Sequence, residues 1–211
     1  MRVKICGLTR AADAELCAAL GADFLGFVFV KESPRYIAPE AVREIAQSPL
    51  PTAVRLRRGE GTESCELDVP LFVGVFRNAT LDEIHRIAAI AQLDVIQLHG
   101  EEPDDFVRAI ELPVIKAVHV QETLPERTSS AQWLMFDSGG GTGRAFDWSL
   151  LAGYPRTTPF FLAGGITPEN VDAAIRTARP DVIDVSSGVE SAPGIKDPRK
   201  LKELFERVKR T

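Results

Sequence analysis

Several side chains with acid, base or anion-binding chemistry stand directly after short apolar runs. Cys6 ends the run Val3-Cys6, and a thiolate is a competent base or nucleophile once its pKa falls toward neutrality. Asp137 closes the run WLMFD, where a carboxyl at a dry lip can hold its proton and act as a general acid. Arg35, in SPRYI (Ser33-Ile37), carries a planar fork that can grip a carboxylate through two parallel hydrogen bonds. His99 and His119 also follow apolar runs. Taken singly, each has a bland alternative: a buried inert thiol, a turn aspartate, a surface arginine, a structural histidine. Cys17, in a helical pattern, and Cys65, in a polar stretch, keep that alternative.

Two glycine-bearing segments add anion chemistry. LAGGIT (Leu162-Thr167) and DVSSGVE (Asp184-Glu190) each follow an apolar run. Glycine lets backbone N–H groups approach an anion closely, and a helix N-terminus adds a favourable dipole. Gly164, Gly165, Ser186, Ser187 and Gly188 are therefore candidates to hold a phosphate. GGTG, at 140–143, is placed to close over the same region.

The elements that must position these groups alternate along the chain. Strand-like runs are Val3-Cys6, Phe24-Phe29, Leu71-Phe76, Val95-Leu98, Val114-Val118, Trp133-Phe136, Phe160-Leu162 and Val182-Val185. They are nearly continuous apolar runs, as suits strands buried on both faces of a parallel sheet. Between them the spacing predicts helices over Ala11-Leu20 (stopped by Gly21), Pro39-Ala46, Leu81-Ala91 (after Thr80), Pro103-Ile110, Pro168-Ala178 and Pro198-Val208. After the fifth and sixth strands the pattern is irregular, and irregular helices are expected there. Eight such units predict an α/β fold, a single-domain (β/α)8 TIM barrel over 1–211. Pro51-Pro70 is polar, fits no element and reads as a surface insertion between the second helix and the third strand. In a barrel, catalytic groups come from the C-terminal ends of several strands, and phosphate sits on the loops after the seventh and eighth. Cys6, Arg35, His99, Asp137 and both glycine segments occupy such places.

Composition narrows the function classes. The chain has 211 residues, 45% hydrophobic and 26% charged, an ordinary globular balance. Its net charge of -5 argues against nucleic acid as the main partner. The basic C-terminal stretch, Arg199 to Arg210, alternates with Leu201, Leu204, Phe205 and Val208 and reads as the solvated face of a core helix. The longest apolar run, Phe24 to Val30, is far below the roughly 20 residues of a membrane span, so no membrane is expected. MRVKICGLTR lacks the apolar stretch of a secretory leader, and the cytoplasm is the expected place. Three cysteines without a CxxC pair argue against a disulfide framework or a zinc ribbon. The three histidines lack metal-ligand spacing, so no metal is expected.

KICGLTR (Lys4-Arg10), SPRYI, GVF (Gly74-Phe76), QLHG (Gln97-Gly100), GGTGRAFDW (140–148), LAGGI (Leu162-Ile166) and DVSSGVE, in this order along nearly the whole chain, resemble the phosphoribosylanthranilate isomerase family of tryptophan biosynthesis. LAGGI alone is shared by several phosphate-binding barrels; KICG combined with SPRYI and GGTGxxFDW is far more specific. The resemblance implies an Amadori rearrangement of N-(5-phosphoribosyl)anthranilate to 1-(2-carboxyphenylamino)-1-deoxyribulose 5-phosphate, without a cofactor. It makes Cys6 the general base, Asp137 the general acid and Arg35 the holder of the anthranilate carboxylate. Asp184 and His99 are the sugar-contacting candidates. The expected partner is a phosphorylated small molecule, and the expected assembly a monomer or homodimer. The alternatives are a histidine-pathway or bifunctional phosphosugar isomerase and a non-catalytic phosphosugar-binding barrel. The former look similar but carry an aspartate at the position of Cys6 and bind two phosphates. Indole-glycerol-phosphate synthase also resembles the fold, but depends on lysine and glutamate motifs absent here. The chemistry requires Asp137 protonated and Cys6 ionised together, with burial expected to raise the first pKa and nearby positive charge to lower the second.

Overall fold

The computed structural model describes residues 1–51, 53–59, 62–120, 122–124, 129–139 and 145–211, giving backbone only for 53–59 and 62–68. The GGTG segment at 140–143 and the side chain of Cys65 lie outside the described residues.

Eight strands close into one parallel barrel: β1 (Arg2–Ile5), β2 (Phe24–Val28), β3 (Leu71–Phe76), β4 (Val95–Leu98), β5 (Val114–His119), β6 (Trp133–Asp137), β7 (Phe160–Leu162) and β8 (Val182–Val185). Each pairs with its sequence neighbours, and β8 returns to β1 with Lys4 opposite Asp184. Because side chains alternate along a strand, one set faces the helices and the other the barrel interior. Val3, Ile5, Leu25, Phe27, Leu134 and Phe136 belong to the layer under the helices. Phe24, Val73, Val95, Ile115, Met135 and Phe161 fill the interior. Burial on both faces explains why the strands read as continuous apolar runs.

The interior is sealed at one end. Phe24, Trp133 and Phe161 meet edge to face, with ring centroids 5.2–6.4 Å apart, and the Arg2 guanidinium lies 4.4 Å over the Phe24 ring. Burying each wholly enclosed phenylalanine contributes about 1.5–3 kcal/mol. With this N-terminal end plugged, the alternation that sends Phe24 and Phe161 inward also sends Cys6, His99, His119, Asp137 and Ser186 toward the opposite mouth.

Helices α1 (Ala11–Leu20), α2 (Pro39–Gln47), α3 (Leu81–Ala91), α4 (Asp104–Arg108), α5 (Val171–Ala178) and α6 (Pro198–Arg210) surround the sheet. Their ends follow the expected signals. Gly21 ends α1 at φ 97°, the Thr80 hydroxyl accepts the Glu83 N–H, and Pro39 and Pro198 open α2 and α6. Two helices are shorter than their patterns. Pro103 precedes α4 rather than starting it, and 168–170 form a turn before α5 in which Asn170 accepts the Thr167 N–H. No helix follows β5 among the described residues, and β6 is followed by a 3₁₀ helix, Trp148–Gly153.

Two features depart from the sequence reading. The stretch given no element contains an antiparallel pair, Ala53–Gly59 with Thr62–Asp68, in a sheet separate from the barrel. Its alternation of single apolar and charged residues (V-R-L-R, C-E-L-D) is a strand pattern that its polarity concealed. A second small hairpin, Glu190–Ala192 with Ile195–Lys196, turns at Pro193 and Gly194 (φ 78°) between β8 and α6. Its strands are too short to show a period. No helix is long and apolar enough to cross a membrane among the described residues.

Candidate active site

The open mouth holds a cleft lined by Arg35, Asp137, Ser138, residues 163–166, Asp184, Ser186 and Ser187. The predicted carboxylate holder, acid and most of the phosphate cradle thus share one space. Gly188 lies beside it, lining an adjoining hollow with Gly165 and Ser187.

The cradle is built by close backbone approach. Gly164 and Gly165 take φ of 84° and 65°, a region that favours glycine. Asn170, which sequence reasoning passed over, donates to the Gly165 carbonyl at 2.8 Å and so ties this loop to the start of α5. A Cβ on Gly188 would fall on the Ile166 carbonyl oxygen, so only glycine lets the two loops meet. Gly188→Ala is expected to cost about 1–3 kcal/mol by overpacking and to weaken phosphate-ligand binding. Thermal melting and ligand titration check this; unchanged melting and affinity would contradict the cradle.

Arg35 is brought to the mouth by the return of its loop to β2. Ile37 N–H donates to the Val28 carbonyl, and Arg35 N–H to the Ser33 hydroxyl. Its Nε and Nη2 form a bidentate pair with Glu190 at 2.9 and 2.7 Å. Nη1 takes no part in that fork. Glu190 also accepts from Lys196 Nζ, whose other bonds go to the Cys6 and Ser186 carbonyls. Glu190 and Lys196 therefore lock the loops after β1, β2 and β8 together. Burial pushes the Glu190 carboxyl up, but Arg35 and Lys196 outweigh it and hold it below its ordinary range. DVSSGVE contains Glu190, but only the second hairpin reveals what it does.

Asp137 faces His99 across the mouth, with Nε2 3.2 Å from its Oδ2. The Gln97 amide nitrogen lies 3.0 Å from His99 Nδ1 and holds the ring with Nε2 toward Asp137. Gly139 N–H also donates to Asp137, and the His119 ring lies 5.4 Å from that of His99. Burial pushes the Asp137 carboxyl up, yet His99 and the Gly139 N–H bring it below the ordinary carboxylate range. Cys6 is buried at 7% exposure beside Gly7, where a Cβ would strike Arg35 and Ser186. Burial raises its thiol pKa more than Lys4 and Lys196 lower it. Both directions reverse the expectation from sequence: these surroundings favour an ionised Asp137 and a protonated Cys6. The expected influences are present, but specific hydrogen bonds win at Asp137 and burial wins at Cys6.

Asp184 lines the cleft with one carboxylate oxygen on Lys4, 2.8 Å away. Asn78 and Gly100 serve structure: their N–H groups donate to the buried Glu102 carboxylate, which pairs with Lys116 at 2.6 Å. Among the described residues no cluster of His, Cys, Asp and Glu could hold a metal ion.

A closed parallel eight-stranded barrel that gathers Arg35, Asp137 and two glycine loops at one mouth has the layout of a (β/α)8 enzyme. The family model of N-(5'phosphoribosyl)anthranilate (PRA) isomerase matches residues 3–207, and the chain belongs to that family. It is 43% identical over 224 residues to the N-(5'-phosphoribosyl)anthranilate isomerase of Acaryochloris marina, covering 99% of this chain and 98% of the relative. The phosphoribosyl anthranilate isomerase of Thermus thermophilus superimposes with a TM-score of 0.82 at 41% identity, covering 100% of this chain and 99% of that one. Another such isomerase, solved in complex with reduced 1-(o-carboxyphenylamino)-1-deoxyribulose 5-phosphate, gives 0.80 at 37% identity with both chains covered in full.

Proposed function

We propose that this barrel isomerises N-(5'-phosphoribosyl)anthranilate to 1-(2-carboxyphenylamino)-1-deoxyribulose 5-phosphate with Cys6 as general base and Asp137 as general acid. The observation that carries the assignment is the mouth itself. Cys6 at the end of β1 and Asp137 at the end of β6 face one opening, whose cleft also presents Arg35 and the glycine loops. Gly164, Gly165, Ser186, Ser187 and Gly188 hold the phosphate, and Arg35 takes the anthranilate carboxylate through the edge that Glu190 leaves. Asp184 and His99 are the sugar-side groups.

The furanose ring opens when Asp137 protonates the ring oxygen, leaving an iminium at C1. That positive nitrogen acidifies the C2 proton, which the Cys6 thiolate removes. The electron pair moves into the C1–C2 bond and neutralises the iminium. The resulting enolamine tautomerises to the ketone, so oxidation at C2 balances reduction at C1 and no cofactor is needed. The substrate's own carboxylate and phosphate raise the proton affinity of Asp137 when they enter, since like charges disfavour ionisation. Binding thereby moves the acid toward its working form.

All assigned residues lie on one chain and one barrel, so a single domain suffices, as a monomer or a homodimer. A base that must remain a free thiol suits a reducing compartment, and this supports a cytoplasmic location.

Titration with the reduced product tests the binding half of this reading. The wild type should bind it in competition with inorganic phosphate. Arg35→Ala should lose about 1.5–3 kcal/mol of that affinity, the range for a hydrogen bond to a charged group, while phosphate alone binds as before. Equal affinity of both proteins for the carboxylated ligand would remove Arg35 from its role.

A further inference from the structure

Lys4 is the most deeply buried charge in the barrel, at 0% exposure, and the reaction as written does not use it. A buried ion pair is an unpersuasive device for stability alone, because well-packed apolar residues often do as well. Its placement suggests another purpose. Lys4 on β1 and Cys6, the residue directly after its end, are two positions apart and so share the inward face. The register sets Asp184 opposite Lys4, and the Lys4 ammonium donates to its Oδ1 at 2.8 Å. The Lys4 charge, on the same inward face, favours the ionised form of the Cys6 thiol. The sulfur has room because β2 carries Gly26, where a Cβ would lie 2.9 Å from Sγ. Its backbone is pinned on both sides, by the Val185 carbonyl to its N–H and by Lys196 Nζ to its own carbonyl.

We propose that Lys4 is the positioning residue of the general base: anchored by Asp184, its ammonium is the fixed counter-charge beside which the Cys6 thiolate forms and is aimed at the substrate. This rests on the assignment of Cys6 as base. The thiol gives its proton to solvent before substrate enters, and Lys4 stays protonated throughout. The thiolate then takes the C2 proton and becomes a thiol again, while the carbon electron pair moves toward the iminium. The charged groups around the sulfur are Lys4 on β1, Asp184 on β8, Lys196 on the second hairpin and Arg35 from the loop after β2. Asp184 opposes ionisation of Cys6 directly, yet it holds the cation that promotes it.

The test reads the sulfur without turnover. Thiolate absorbance is followed against pH as the difference between each protein and its Cys6→Ala counterpart. Lys4→Met should move the inflection up by about 1–3 pH units, the usual effect of losing an adjacent opposite charge. Asp184→Asn should move it down, and Lys4→Arg should restore it toward the wild type. If Lys4→Met alone does not fold, the neutral pair Lys4→Met with Asp184→Asn serves, and its inflection should still lie above the wild type. An inflection that stays in place without Lys4, or moves the same way in both single variants, overturns the proposal. Turnover surviving in Cys6→Ala is a separate result: it would remove Cys6 as base and leave this measurement intact.

Discussion

Cys6→Ala is expected to lower turnover by about 10²- to 10⁴-fold, the usual contribution of a general base, while affinity for the phosphorylated product stays within a few-fold of wild type. The split follows from position. Cys6 lies at the strand end, 7% exposed, whereas phosphate and carboxylate are held by other loops. Alanine removes the sulfur without disturbing the backbone, which is fixed by the Val185 carbonyl and Lys196. Steady-state kinetics together with product titration check this. A parallel loss of affinity and rate would show that Cys6 acts by shaping the pocket. Undiminished turnover would end its assignment as base.

Asp137→Asn should cost a similar factor, because an amide cannot deliver an acidic proton but keeps an oxygen for the His99 N–H. The pH profile carries more information than the rate alone. Asp137 lies below its ordinary range and Cys6 above its own. The competent enzyme needs the opposite protonation of each, so it is a minority form at every pH between the two pKa values. Activity is still bell-shaped, but the limbs have assigned owners. As pH falls through the Asp137 pKa, no further acid is gained while thiolate continues to be lost, and the rate drops. As pH rises through the Cys6 pKa, no further thiolate is gained while protonated Asp137 continues to be lost, and the rate drops again. The residual activity of Asp137→Asn should therefore lack the acid limb's break and keep rising with pH until Cys6 is ionised. An acid limb unchanged from wild type would assign that limb, and the acid role, to another group.

What was legible in the sequence was whatever local rules control. The barrel strands were readable because burial on both faces leaves unbroken apolar runs, and α1 and α3 because Gly21 and Thr80 mark their ends. Cys6, Arg35, Asp137 and both glycine loops could be placed at one mouth because the fold puts every strand's C-terminal end there. What escaped depended on distant partners. Lys4 reads as one polar residue in an apolar run until Asp184, 180 positions away, is seen beside it. Lys196 belongs to strands too short to show a period, yet it joins the loops after β1 and β8. The pKa directions of Cys6 and Asp137 differ from the sequence expectation for the same reason. The hydrogen bond from His99 and the depth of Cys6 are facts of packing, and no local pattern encodes their balance. The hairpin formed by Ala53–Gly59 and Thr62–Asp68 was missed differently: its alternation was present, but its charge suggested a loop.

The most direct measurement follows anthranilate fluorescence while freshly made phosphoribosylanthranilate is presented to the wild type, with folded Cys6→Ala and Asp137→Asn alongside. A rapid signal change with the wild type, falling to near background with either variant, is the predicted result. No turnover by a folded wild type, or full turnover by both variants, would contradict the assignment of this barrel mouth as an acid–base isomerase site.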